Sequence, residues 1–177
     1  ALASTGAHGT ARPPGVVPLG TLRGPPHPDG GRPWLPHGTG DPHTEAGAMS
    51  LAADYPDAVG VHIGFDEELA HLVYAGSDAL AVPSRFEPCG LSQMIAMRYG
   101  TLPVVRATGG LRDTVDHQRT GFVFEHANAD ALAWAAAEAL ARFEDPVRWR
   151  SMMLEAMSQD FSWTRSAARY AALYRSL

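Results

Sequence analysis

Between residues 59 and 124, strand-length apolar runs alternate with stretches of helical period, and few folds accommodate that pattern. The runs are "VGVHIG" (59–64), "ALAV" (79–82), "LPVV" (102–105) and "GFVF" (121–124). "EELAHLVYAG", "GLSQMIAMRYG" and a shorter stretch after Thr108-Gly109-Gly110 separate them. Strands this short cannot stand alone, and continuous apolar runs mark strands buried on both faces. Joined by helices, they predict an α/β fold with a Rossmann-like parallel sheet flanked by helices, half of a doubly wound architecture. Asp66 is placed to cap the helix over 67–76, with Leu69, Leu72 and Val73 on one face and Gly76 to stop it.

The same pattern extends on both sides. Thr44 to Tyr55 carries Ala, Met and Leu at helical spacing, with Pro56 just beyond. After Asn128 come three helical stretches: "ADALAWAAAEALARF", "DPVRWRSMMLEAMSQ" with Pro146 in a first-turn position, and "SWTRSAARYAALYRSL" with Ser162 as cap. Their Trp, Met, Leu and Tyr stripes are expected to join the core. The start of the chain is different. Nine of the 14 prolines and ten of the 18 glycines precede residue 48, so residues 1–37 read as an irregular or disordered segment and residues 38–177 as the folded domain.

Composition excludes several classes of function. With 177 residues, 45% of them apolar, the chain can bury one real core. A net charge of −5 without a basic block leaves no duplex-binding surface, so no nucleic-acid partner is expected. Cys89 is the only cysteine, which rules out an internal disulfide and a thiolate zinc site and fits a reducing compartment. No apolar run is long enough to cross a membrane and no signal pattern opens the chain, so a cytoplasmic protein without a membrane partner is expected. All 14 basic residues are arginine, which removes lysine-based chemistry.

Two loops hold the candidate chemistry. In open α/β sheets, ligands sit beyond the carboxyl ends of the strands, where loops enter helix N-termini. "PSRFEPCG" (83–90) is such a loop, and the helix behind it offers free backbone N–H groups to a phosphate. "RATGGLRDTV" (106–115) is a second, whose paired glycines let backbone approach a ligand. Two such turns side by side could hold a diphosphate and its sugar. Glu87 lies between them. A carboxylate near phosphate is unfavourable unless it serves the sugar end; the alternative is an exposed loop acid or a partner of Arg85. Cys89 reads as a small buried apolar residue rather than a nucleophile. His62 and His71 lack metal-ligand spacing and read as structural; no metal or cofactor is called for. Arg85, Arg98, Arg106 and Arg112 cluster near the two loops in sequence, as a solvated face would also have them.

These residues resemble a known family. "GTGDP", "VGVHIGFDEELAH", "YAGSDALAVPSRFEPCGLSQ", "RYGTLPVVRATGGLRDTV", "TGFVFEHANADALAWA" and "DFSWTRSAARYAALY" are similar, in order, to the carboxyl-terminal domain of bacterial glycogen synthases and plant starch synthases. The resemblance implies the carboxyl-terminal half of a GT-B glycosyltransferase: an ADP-glucose-dependent, retaining hexosyltransferase that extends an α-1,4-glucan acceptor. On matched positions it makes Glu87 the active-site acid at the transferred glucose. Gly90 and Leu91 would give backbone N–H groups to the diphosphate, with Thr108, Gly109 and Gly110 lining the same region and Cys89 a neighbour of the site. Phe65 stands where the family usually has a tyrosine stacked on adenine, and a phenyl ring keeps the stacking.

The chain departs from the family in two ways. After its first strand the family has a serine-arginine-leucine-threonine turn and a lysine-glycine pair that clamp the diphosphate; "GVVPLGTLRGPPHPDGG" (15–31) has neither. The amino-terminal, acceptor-side domain is also missing, so the chain is expected to be the donor-binding half and inactive alone. Two other readings fit: a nucleotide-sugar or glucan binding fragment without turnover, and a different GT-B glycosyltransferase. Many of the latter carry a second acid eight residues after the first, and Ile95 in that place favours the synthase branch. A stacking ring accepts uracil as well as adenine, so the residues leave ADP and UDP sugars open. Residues 1–37 also have the composition of GC-rich DNA read out of frame, a reading that a search of the upstream DNA in all frames would test.

Overall fold

The computed structural model describes residues 37–38 and 42–177. The irregular reading of residues 1–37 and the altered clamp region at 15–31 thus lie almost wholly outside the described residues. In chain order the elements are β1 (His37–Gly38), α1 (Pro42–Asp54), β2 (His62–Ile63), α2 (Glu67–Gly76), β3 (Ala79–Val82), α3 (Ser92–Tyr99), β4 (Leu102–Arg106), α4 (Gly109–Thr114), β5 (Phe122–Phe124), α5 (Ala129–Phe143), α6 (Pro146–Ser158) and α7 (Trp163–Ser176). This is the α/β alternation expected from the sequence.

Strands β3, β4 and β5 form a parallel sheet in that order. Ala79 pairs with Leu102 and Val82 with Val105; on the other side Val104 pairs with Phe122 and Arg106 with Phe124. All three strands therefore end together, which places the loops after β3 and β4 side by side. The first strand-like run comes out shorter than its six residues suggest. Of that run, His62–Ile63 forms the strand, paired with β1 among the described residues.

Local chemistry sets the helix ends. Asp66, Asn128 and Asp145 each accept the backbone N–H three residues on, at 2.9, 2.8 and 3.1 Å, satisfying donors that a helix start leaves free. Pro146 follows Asp145, where a missing N–H is harmless. Gly100, at φ +83°, closes α3 in the left-handed region and lets the chain turn directly into β4. Gly76 belongs to the last turn of α2 and does not stop it; Ser77 does, with its N–H and hydroxyl both on the Val73 carbonyl.

The core lies between this sheet and helices α3, α5 and α6. Leu80, Val82, Leu102, Val105, Met97, Leu111 and Phe122 are almost fully buried, each contributing roughly 1.5–3 kcal/mol by leaving water. Trp149 of α6 stacks on Phe122 at 6.2 Å and meets the edge of Phe143 at 5.0 Å. The expectation that all the late aromatic stripes are core needs correction. Trp149 and Met152 are buried, but Trp163, Tyr170, Leu173 and Tyr174 of α7 are exposed, and that helix buries no residue. Leu72 of α2 is exposed too. Helical spacing places apolar residues on one face, but it does not say whether anything covers that face.

Candidate functional site

The chain leaves β3 at Val82 and reaches α3 at Ser92 through a tight turn built around Glu87. This carboxylate is only partly buried, and both its oxygens are engaged: Oε1 accepts the Gly90 N–H at 3.0 Å and Oε2 the Ser84 hydroxyl at 3.3 Å. Gly90 adopts φ +73°, a conformation that disfavours any side chain. A β-carbon there would also meet the buried Gln93 carboxamide at 2.6 Å. Beyond Gly90 the N–H groups of Leu91 and Ser92 precede the first i−4 bond of α3, which Ile95 donates to the Leu91 carbonyl, and so have no partner within the helix at the positive end of its dipole.

The second turn leaves β4 at Arg106. Thr108 is extended ahead of α4, and Gly109 at φ +45° starts the helix. The two turns touch backbone to backbone. The Gly110 N–H donates to the Glu87 carbonyl at 3.3 Å. A β-carbon on Gly109 would stand 2.8 Å from the Glu87 carbonyl carbon, and one on Gly110 would stand 2.5 Å from that of Cys89. The paired glycines therefore admit another turn of the same chain, whatever else they admit.

The structure thus brings Glu87, Cys89, Gly90, Gly109 and Gly110 together, with Leu91 exposed at the rim and Thr108 partly buried beside them. Three details differ from expectation. The Gly90 N–H, assigned to a diphosphate by resemblance, is directed here onto Glu87. Cys89 is exposed rather than buried, because its loop crosses the surface between the two turns. Phe65, on the loop between β2 and α2, is 91% exposed; no described residue covers its ring, so it can stack on a flat ligand.

The arginines do not form one cluster. Arg106 donates through its guanidinium to the carbonyls of Ser84, Arg85 and Glu125 at 3.3, 2.7 and 3.2 Å, tying the Glu87 loop to the end of β5. Arg112 donates to the Ala107 carbonyl at 2.9 Å and lies 3.7 Å from Glu125. Arg98 sits in the last turn of α3, on the Met157 carbonyl at 3.1 Å. Arg85 is exposed. His71 is also at the far end of α3 from Gly90, with its ring nitrogen 3.0 Å from the Tyr99 hydroxyl. Tyr74 stacks on the same Tyr99, and burial raises its phenol above the ordinary value of 10.0.

Sequence reasoning missed Ser84, Gln93 and Thr114. Gln93 had a signal: it falls three and four residues before Ala96 and Met97, on the buried face of α3, where a polar side chain needs partners. Chemically, N–H groups left without a helical partner at a helix start suit an anion, and a carboxylate among them suits sugar hydroxyls.

Comparison with known proteins gives the chain a family. The family model described as glycosyl transferases group 1 matches residues 38–152. The glycogen synthase of Pasteurella multocida (strain Pm70) is 51% identical over 149 residues, which cover 79% of this chain and 31% of that protein. That of Rhodospirillum rubrum is 50% identical over 145 residues, covering 79% and 30%. Among solved structures, the catalytic domain of starch synthase IV from Arabidopsis thaliana, bound to ADP and acarbose, superposes with a TM-score of 0.68 at 36% identity, covering 78% of this chain and 31% of that one. The chain therefore spans under a third of the length of the relatives it matches.

Proposed function

Since the chain belongs to the group 1 glycosyl transferases, we propose that it is the donor-binding half of an ADP-glucose-dependent synthase that lengthens an α-1,4-glucan with retention. In that reaction the bond between glucose C1 and the β-phosphate oxygen breaks, the acceptor hydroxyl oxygen forms the new bond to C1 on the same face while its proton goes to the departing phosphate, and ADP leaves. The N–H groups of Leu91 and Ser92 and the turn at Thr108, Gly109 and Gly110 hold the leaving diphosphate. Glu87 accepts hydrogen bonds from the glucose, and Phe65 stacks on the base. Support comes from relatives named glycogen synthase and a structural neighbour that binds ADP. The observation that carries the reading is the Glu87 carboxylate set against two touching, amide-rich turns.

Turnover and acceptor binding belong to a cleft completed by a second, acceptor-side domain. Donor affinity in this chain is reduced, because Arg106 and Arg112 are committed to backbone carbonyls and no lysine is available to neutralise the phosphates. Poor neutralisation of the phosphates bears on turnover, and it gives the second reading its support: a fragment that holds a nucleotide sugar weakly and does not turn it over. Isothermal titration with ADP-glucose should give a Kd of ~1 mM, about −4 kcal/mol; micromolar affinity would contradict the weakened clamp. Incorporation of labelled glucose into glycogen by the chain mixed with a separately supplied acceptor-side domain separates the readings: incorporation supports the synthase half, and none supports the fragment without turnover.

A further inference from the structure

A buried side chain joins the two turns. Gln93 is fully buried in the first turn of α3. Its Nε2 donates to the Gly90 carbonyl at 2.6 Å and to the Thr114 hydroxyl oxygen at 3.0 Å. The Thr114 hydroxyl in turn donates to the Gly110 carbonyl at 2.6 Å. The first and last of these bonds are local to their own helices; the middle one crosses from α3 to α4. Chemistry fixes the amide's orientation, because reversing it would press its oxygen against the Gly90 carbonyl. In this orientation Oε1 has no donor among the described residues. A buried amide with one unpaired oxygen is a poor core filler unless its donations matter.

We infer that Gln93 and Thr114 are positioning residues that lock the two turns into one rigid cradle. They act through the backbone of Gly90 and Gly110, the residues whose N–H groups rest on the Glu87 side chain and the Glu87 carbonyl. A shift of either turn is thereby passed to the other and to the carboxylate. The coupling is a property of the chain itself, while its value to catalysis rests on the donor-site reading above.

The test is amide hydrogen exchange on the whole chain carrying Gln93→Met, Thr114→Val or Thr114→Ser, with the Val104 and Val105 amides as the core reference. Losing one hydrogen bond of ordinary strength should quicken exchange about tenfold. Under the inference, Thr114→Val quickens Gly90 as well as Gly110, Gln93→Met does the same, Thr114→Ser behaves as the parent, and the core is unchanged. If Thr114→Val quickens Gly110 alone, or neither amide, the turns are independent and the inference is overturned. Should Gln93→Met disturb the core, Thr114→Val at its only partly buried position decides the matter. ADP titration of the same proteins separates the two claims. Coupled exchange without ADP binding removes the donor-site reading and leaves the inference standing. ADP binding with uncoupled turns does the reverse.

Discussion

Replacing Gly110 by alanine sets two well-known effects against each other. Gly110 lies in α4 and is not in the left-handed region, so propensity alone favours alanine by about 1 kcal/mol. The new β-carbon, however, would stand 2.5 Å from the Cys89 carbonyl carbon and closer still to its oxygen. Those are backbone atoms and no rotamer change relieves the clash, so the turns must part by more than an ångström. Overpacking of this kind costs about 1–3 kcal/mol. Parting the turns also breaks the 3.3 Å bond from the Gly110 N–H to the Glu87 carbonyl, about 1 kcal/mol more. The net loss is about 1–3 kcal/mol, or a melting temperature lower by roughly 3–10 °C in a chain of this size. Calorimetry reads the stability, and titration with ADP reads the site, where affinity should fall at least about tenfold. Gly47→Ala is the control: it lies inside α1 with nothing within 4 Å of an added β-carbon, and it should be neutral or stabilising. If Gly110→Ala matched Gly47→Ala in stability and kept ADP affinity, the contact between the turns would be wrong.

Other perturbations follow from the same packing. Phe65→Ala removes a ring that is 91% exposed, so stability should stay within about 0.5 kcal/mol while ADP binding weakens; a loss of stability in urea unfolding would show that the ring is part of the core. Trp149→Ala empties a site packed between Phe122 and Phe143 and should cost about 3–5 kcal/mol in the same assay. Asp160 accepts the Ser162 N–H at 2.9 Å ahead of α7, and that bond holds its carboxyl below the ordinary 3.8. A lowered folded-state value adds stability above pH 3.8 that is lost as pH falls through the lower value. NMR should therefore show the first turn of α7 fraying in that acid range, and Asp160→Asn should abolish the pH dependence.

How much of this was legible in the sequence differs from element to element. The Ala79–Val82 strand and the Ala129–Phe143 helix fall on their sequence-read limits, because a continuous apolar run and a sustained helical period are local signals. The caps at Asp66 and Ser162 were legible for the same reason; the one at Asp145 came with the structure. The fate of α7 was not: its stripe of Trp163, Tyr170 and Tyr174 has core spacing, but covering it is a matter of tertiary partners. At the site, the strand–loop–helix order located both turns, and "TGG" announced a close backbone approach. That the approaching group is the Glu87–Cys89 backbone depends on how the two turns are set against each other, which no spacing encodes. The commitment of Arg106 to carbonyls of the neighbouring loop was invisible for the same reason.

The central claim is that the turns hold the diphosphate while Glu87 reads the sugar. Glu87→Gln tests it most directly, with ADP and ADP-glucose titrated in parallel against the whole chain by NMR. Gln keeps the shape and loses the charge, so ADP affinity should stay within about twofold while ADP-glucose affinity falls about tenfold, as for the loss of one charge-assisted hydrogen bond. Equal weakening of both ligands, or unchanged binding of ADP-glucose, would contradict the assignment.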